Sequence, residues 1–311
     1  KYPHNVRHQS RSTVVTAYYK IPSKHSPKRY YEWMVNLLSL QDPMIIFTQP
    51  DLVGEISKLR YHAVNRTVVV PLSLDHLPIA SVFPTTFWEE QLERDPEKDK
   101  HRSYKLFWIW ISKTWFVSEA IKMNVFKSEV FVWSDIGCFR NTNYYNGKAM
   151  VMHPERIPRD EVVQMAFRKP IPPNTSLFDD KFNHHTNFYH SGTHFAGYKD
   201  TIRAFHEHFV ETIDEFVAHN MFLGDDQTVL QSTCLRYQSL CAYVHRSSVD
   251  DNSYFGLRYF LHHTSNSSSS NNISSNSTRD DEDPEFKFWR IRNFRPKLSS
   301  KRERKDVVNW T

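Results

Sequence analysis

The sequence predicts an α/β fold: one open, mostly parallel, twisted sheet flanked by helices. Three observations point there. Short β-branched or aromatic runs recur at Thr13–Tyr19, Met44–Thr48 and Val68–Pro71, the composition of buried strands. Helical stretches separate them. Strands alternating with helices at this spacing build parallel sheets with helices on their faces.

Each element has its own signal. Thr13–Tyr19 (TVVTAYY) reads as the first strand. Ser26 can cap a helix whose first residue is Pro27, running to about Leu40 and burying Trp33, Leu37 and Leu38. Met44–Thr48 is a second strand, followed by a short helix through Leu59 and a third strand to Pro71. Leu74–Arg102, with its prolines and charged run, reads as irregular solvated surface, and Tyr104–Asn124 as one helix. Glu129–Ser134 is a fourth strand ending on Asp135. From Asp200 a long helix is expected, since Ile202, Phe205, Phe209, Ile213 and Phe216 recur at spacings of three and four. A Gly224-Asp225-Asp226-Gln227 turn leads into another helix, and Leu240–Val244 reads as a late strand.

Composition divides the chain. Residues 1–11 read as a flexible arm and 12–262 as the main domain. Residues 263–283 are Ser/Asn-rich and cannot bury enough apolar area to offset their ordering entropy, so a disordered loop is expected. Phe288, Trp289 and Phe294 suggest that 284–311 packs back on the domain.

The net charge of +5 over 311 residues is small and spread out, so no nucleic-acid partner is expected. No apolar run reaches the ~18 residues of a membrane span. Cys138, Cys234 and Cys241 form neither a zinc pattern nor a disulfide framework; Cys234 and Cys241 can pair or remain buried thiols. Six N-x-[ST] acceptors, at Asn65, Asn174, Asn266, Asn272, Asn276 and Asn309, favour a secretory compartment. The expectation is the Golgi or ER lumen. Because the first residue is Lys rather than Met, a type II membrane anchor ahead of it is expected as the only tie to a membrane.

Several residues can carry chemistry. Asp135 falls at a strand end, where open parallel sheets bind ligands, and Gly137 allows close backbone approach. A carboxylate there either caps a turn or holds Mn²⁺ or Mg²⁺ against a diphosphate. Ser191–Tyr198 either lines a sugar pocket or makes an ordinary turn into a helix. Asp225 and Asp226 are either helix caps or a general base for an acceptor hydroxyl. Lys113 either snorkels or pairs with a phosphate, and His245 is either an ordinary polar group or a metal ligand.

In order along the chain, these motifs resemble the HtrL/YibB family of glycosyltransferase-like proteins. The likeness rests on T-A-Y-Y at 16–19, Y-x-x-W-x-x-N at Tyr30, Trp33 and Asn36, and I-I-F-T at 45–48. It continues through Lys113, the Asn124-x-Phe126 turn, F-x-W-x-D-x-G ending at Gly137, H-F-A-G at 194–197 and D-D-Q-T-V-L at 225–230. The resemblance covers about 11–246.

It implies a GT-A fold and transfer of a sugar from a nucleotide-sugar donor to a glycan or glycoprotein acceptor, with inversion. Thr16, Ala17, Tyr18, Lys113, Ser134, Asp135 and Gly137 would then hold the donor. His194, Phe195, Ala196 and Gly197 would form the acceptor or sugar pocket. Asp225 or Asp226 would be the base, and Asp135 with His245 would bind the metal ion. Gly137 stands where the D-x-D metal motif has its second acid. The alternatives are a non-catalytic lectin-like or scaffolding relative and a metal-dependent phosphate-ester hydrolase, although local spacing assembles no compact His/Asp set for the latter.

Overall fold

Eight strands build one sheet: β1 (Ser12–Tyr18), β2 (Met44–Thr48), β3 (Thr67–Pro71), β4 (Val130–Ser134), β5 (Val162–Ala166), β6 (His190–Tyr198), β7 (Cys241–Arg246) and β8 (Phe286–Trp289). Their order is β3-β2-β1-β4-β6-β5-β7-β8. The computed structural model describes residues 9–140, 148–166, 190–246, 256–262 and 286–289, with backbone alone at 245–246 and 286–289. Strands β1 to β4 pair in parallel, as do β5 and β7, while β6 and β8 run antiparallel to their neighbours. The sheet is therefore open and mostly parallel, as expected.

Side-chain alternation along the strands sends each strand's residues into two cores. Val15, Ile45, Phe131 and Phe195 face one layer; Val14, Met44, Ile46, Val132 and Ala196 face the other. The first layer is roofed by α6 (Lys105–Ile111), α7 (Lys113–Met123), α8 (Lys199–Ala218) and α9 (Asp226–Arg236). The second is covered by α1 (Pro27–Leu38), α2 (Val53–Leu59) and α10 (Leu257–His262). With both faces covered, β1, β2 and β4 have to read as nearly continuous apolar runs.

Local signals hold at the start of α1, where Ser26 accepts a hydrogen bond from the Arg29 N–H at 3.3 Å. Thr48 Oγ1 donates to Tyr18 O at 2.8 Å and ties the ends of β1 and β2 together. Asn124 closes α7 in the left-handed region at φ 32°, a conformation Asn tolerates better than most residues. Its amide exchanges hydrogen bonds with the Ser128 backbone.

Three expectations are corrected. Residues 74–102 are not solvated surface: they hold α3 (Pro78–Val82), α4 (Thr85–Arg94) and α5 (Lys98–His101), with Trp88, Gln91, Asp95 and His101 buried. Three of the four, Gln91, Asp95 and His101, find polar partners inside the protein. His101 Nδ1 and Asp95 Oδ2 lie 2.5 Å apart, and Gln91 Oε1 accepts from the Leu223 N–H. The single helix expected at 104–124 is two, with Ser112 (φ −87°, ψ 1°) between α6 and α7. Residues 190–198 form a strand rather than a turn. Cys234 and Cys241 are joined by a disulfide, and Cys138 is a buried thiol.

Strand β8 pairs with β7 within the segment expected to pack back. The Ser/Asn-rich 263–283 lies outside the described residues. So do Asn174, Asn266, Asn272, Asn276 and Asn309, whereas Asn65 is exposed. No helix among the described residues is long and apolar enough to cross a membrane.

Candidate functional site

The chain places β2 and β3 on one side of β1 and β4 on the other. Strand order thus reverses between β1 and β4, and such a reversal opens a crevice at the carboxyl ends of the strands. A cleft of about 470 Å³ lies there, lined by the end of β1 and the residues after it (Ala17 to Ile21) and, at the end of β4, by Trp133 and Asp135 to Cys138. That volume is in the range of small-molecule sites. Antiparallel β6 begins at this end, so Gly192 and Thr193 join the lining, and the start of α9 adds Asp225, Asp226 and Gln227.

Lys113, the first residue of α7, is the centre of the polar constellation. Its ammonium lies 2.8 Å from Asp135 Oδ1 and 2.6 Å from Asp226 Oδ2, and donates to Gly192 O at 2.9 Å. Two carboxylates and one carbonyl thus surround the ammonium, three groups for its three protons. Trp133 Nε1 donates to Asp135 Oδ1 at 2.7 Å. Lys113 and Asp226 are buried, whereas Asp135 keeps 27% of its side-chain surface exposed and opens to the cleft.

Burial lowers the affinity of Lys113 for its proton, but Asp135 and Asp226 outweigh it and hold the lysine above its ordinary value. Burial raises Asp226 to about 7; Lys113 opposes the rise, while Asp225 and Asp135 add to it. Asp225 has a different task. Its carboxylate accepts from the Gln227 N–H at 3.2 Å and from Thr228 Oγ1 at 2.7 Å, capping α9.

Close backbone approach fixes this geometry. A Cβ on Gly192 would meet Asp226 Oδ2 at 2.6 Å and Gln227 Cγ at 2.8 Å. A Cβ on Gly137 would stand 3.2 Å from the Trp33 ring and 3.5 Å from Tyr30. Tyr30, Trp33 and Asn36 form one stripe of α1 at three-residue spacing. The first two pack on Gly137, and Asn36 Nδ2 donates to Phe139 O at 2.8 Å. The Y-x-x-W-x-x-N motif is thus a buttress for the turn after Asp135.

Of the expected donor residues, Ala17, Tyr18, Lys113, Asp135 and Gly137 line the cleft. Thr16 and Ser134 are fully buried in the sheet and do not. The expected sugar pocket at 194–197 is corrected: His194, Phe195 and Ala196 are buried in β6 between β4 and β5. Phe195 and Ala196 belong to opposite cores. Gly197 abuts Ile202 at 3.0 Å from a notional Cβ, and burial lowers His194 to about 3 while its Nε2 meets Ser134 Oγ at 3.2 Å. His245 lies at the same sheet end as Asp135 but three strands away, on the order of 14 Å at normal strand spacing.

Sequence reading missed the wall opposite β1. Leu106, Ile109 and Trp110 of α6 line the cleft beside His101 and Glu97, with the His101 and Trp110 rings 4.9 Å apart. The only signal for it was apolar spacing that also suits a core. Among the described residues, no group of three or more His, Cys, Asp and Glu side chains is placed to hold a metal ion. An ion bound jointly by Asp135 and Asp226 would have to displace Lys113.

The profile of the family described as "Bacterial protein of unknown function (HtrL_YibB)" matches residues 10–255. The chain belongs to the HtrL_YibB family. Protein HtrL of Escherichia coli (strain K12) is 21% identical over 239 residues, covering 71% of this chain and 83% of that protein. Among solved structures, this HtrL_YibB chain is similar to mouse xyloside xylosyltransferase 1 in its apo form. That match has 10% identity and a TM-score of 0.39, over 74% of this chain and 83% of the other. The HtrL_YibB match spans β1 to β7 and includes every side chain of the Lys113 constellation.

Proposed function

We propose that this HtrL_YibB protein is a GT-A type glycosyltransferase that moves a sugar from a nucleotide-sugar donor to a glycan or glycoprotein hydroxyl. The observation that carries the reading is the meeting of Asp135 and Asp226 through Lys113 in one cleft at the reversal of strand order. A nucleotide fits the β1 side, where Tyr18, Lys20 and Lys24 line the cleft. The acceptor fits the α6 side, since Trp110 offers a flat apolar face of the kind that packs on sugar rings.

Transfer then needs one base and one leaving group. The acceptor oxygen attacks the anomeric carbon as the bond to the diphosphate breaks, inverting the centre. Asp226 takes the acceptor proton, and the nucleoside diphosphate departs with the electron pair. Burial raises the pKa of Asp226 well above the ordinary carboxylate range, which makes it a stronger base than an exposed carboxylate. Asp225 is committed to capping and holds α9 in place. A Golgi or ER lumenal site fits the Cys234–Cys241 disulfide and the exposed Asn65 acceptor.

The test is a screen of nucleotide sugars for thermal stabilisation and donor turnover, with Asp135→Asn and Asp226→Asn as folded controls. Turnover by wild type and its loss in both variants supports the reading; unchanged turnover in either removes that residue from the mechanism. A non-catalytic, sugar-binding relative is the second reading, favoured by the lock that Lys113 places on both acids. Donor binding by calorimetry without turnover on any acceptor would select it.

A further inference from the structure

Asp135 stands where a divalent ion is expected, yet its carboxylate is already engaged. Oδ1 faces Lys113 at 2.8 Å and Trp133 Nε1 at 2.7 Å, and Oδ2 accepts from Lys113 at 3.1 Å. Asp226, the other acid of the constellation, is held by the same ammonium. The position that could supply a second ligand from the same turn is Gly137, where even a Cβ would press on Trp33 at 3.2 Å. A longer acidic side chain could enter only by moving that indole. Gly192 has the complementary effect, since its missing side chain lets Asp226 lie against β6 and reach Lys113.

We infer that Lys113 is the resident cation of this site, and that nucleotide-sugar binding and transfer here proceed without a divalent metal ion. The inference rests on the transferase reading for its substrate but not for its metal chemistry. Lys113 neutralises the two acids that would otherwise repel a diphosphate. Lys20, Lys24 and Arg140 line the same cleft and supply positive charge for the phosphates themselves. This is electrostatic stabilisation of the leaving group by fixed protein cations. It differs from the metal route in being indifferent to chelation.

Two measurements on the intact chain decide it. In the first, Mn²⁺ alone is titrated into wild type and Lys113→Met, and free Mn²⁺ is followed by electron paramagnetic resonance. Wild type should bind no ion that Asp135→Asn abolishes, and Lys113→Met, if folded, should gain one. In the second, UDP and GDP are titrated calorimetrically into wild type with EDTA or with Mn²⁺, and the two dissociation constants should agree within about twofold. An Asp135-dependent Mn²⁺ site in wild type overturns the inference, as does a loss of nucleotide affinity of about tenfold or more in EDTA. If neither nucleotide binds in either buffer, the transferase reading loses its support, while the Mn²⁺ titration still decides for or against Lys113.

Discussion

Replacing Gly192 with Ala adds one methyl group at the closest contact in the site. The new carbon would meet Asp226 Oδ2 at 2.6 Å, Gln227 Cγ at 2.8 Å and Asp226 Cγ at 3.0 Å. Carbon needs roughly half an ångström to 1 Å more than this, so the start of α9 or the strand has to move. Neither is free: Gln227 Nε2 donates to His190 O at 2.8 Å, and the Gly192 carbonyl holds Lys113. Overpacking of this kind costs about 1–3 kcal/mol, or a fall in Tm of about 2–10 °C for a domain of this size. In the proposed transfer Asp226 is the base, so its displacement should also lower kcat, by about a hundredfold for an ångström of misplacement. Gly54→Ala is the control, since α2 leaves open space around Gly54 and the change should stabilise by about 0.5–1 kcal/mol. Calorimetric unfolding of both variants beside wild type, with single-turnover kinetics, is the assay. A Gly192→Ala protein that melts with wild type and turns over at its rate would refute the claim that Asp226 is packed against β6.

Further outcomes follow from the same geometry. Asp226 must be ionised to accept a proton and its pKa is raised to about 7, so kcat should rise with pH through neutrality. Asp226→Asn should abolish that limb and lower kcat by about 10²- to 10⁴-fold. Trp110→Ala should raise KM for the acceptor by about tenfold while leaving donor hydrolysis unchanged, which steady-state kinetics on both substrates would show. Removing the disulfide with Cys234→Ala and Cys241→Ala opens a loop of seven-residue separation and should cost about 2.5 kcal/mol by loop entropy, read as a lower urea midpoint.

The elements legible in sequence were those whose local signals agree with their tertiary setting. Strands β1, β2 and β4 announce themselves because burial on both faces favours dense runs of apolar and β-branched residues, and α8 because its stripe is regular. Residues 85–101 misled because their charges lie outward while Trp88 and Gln91 point in, and because Asp95 and His101 satisfy each other in the interior. Strand β6 contains two glycines and two histidines, so propensity argues against it; its place between β4 and β5 overrides that. Lys113 read equally well as a snorkelling side chain, because its partners lie 22 and 113 positions further along the sequence. The acids of the site were legible as a strand end and a helix start. That an ammonium joins them was not.

The antiparallel course of β6 has a consequence for biosynthesis. The first half of the chain delivers β4 with Val130, Phe131, Val132 and Trp133 and one edge unpaired, and the strand that covers this edge ends about sixty residues later. At ribosomal speeds of about 5–20 residues per second, that edge waits for roughly 3–12 s. A bare apolar edge of this kind recruits other strands. The nascent chain is therefore at its most vulnerable before β6 arrives, and chaperones that shield strand edges would act in that interval.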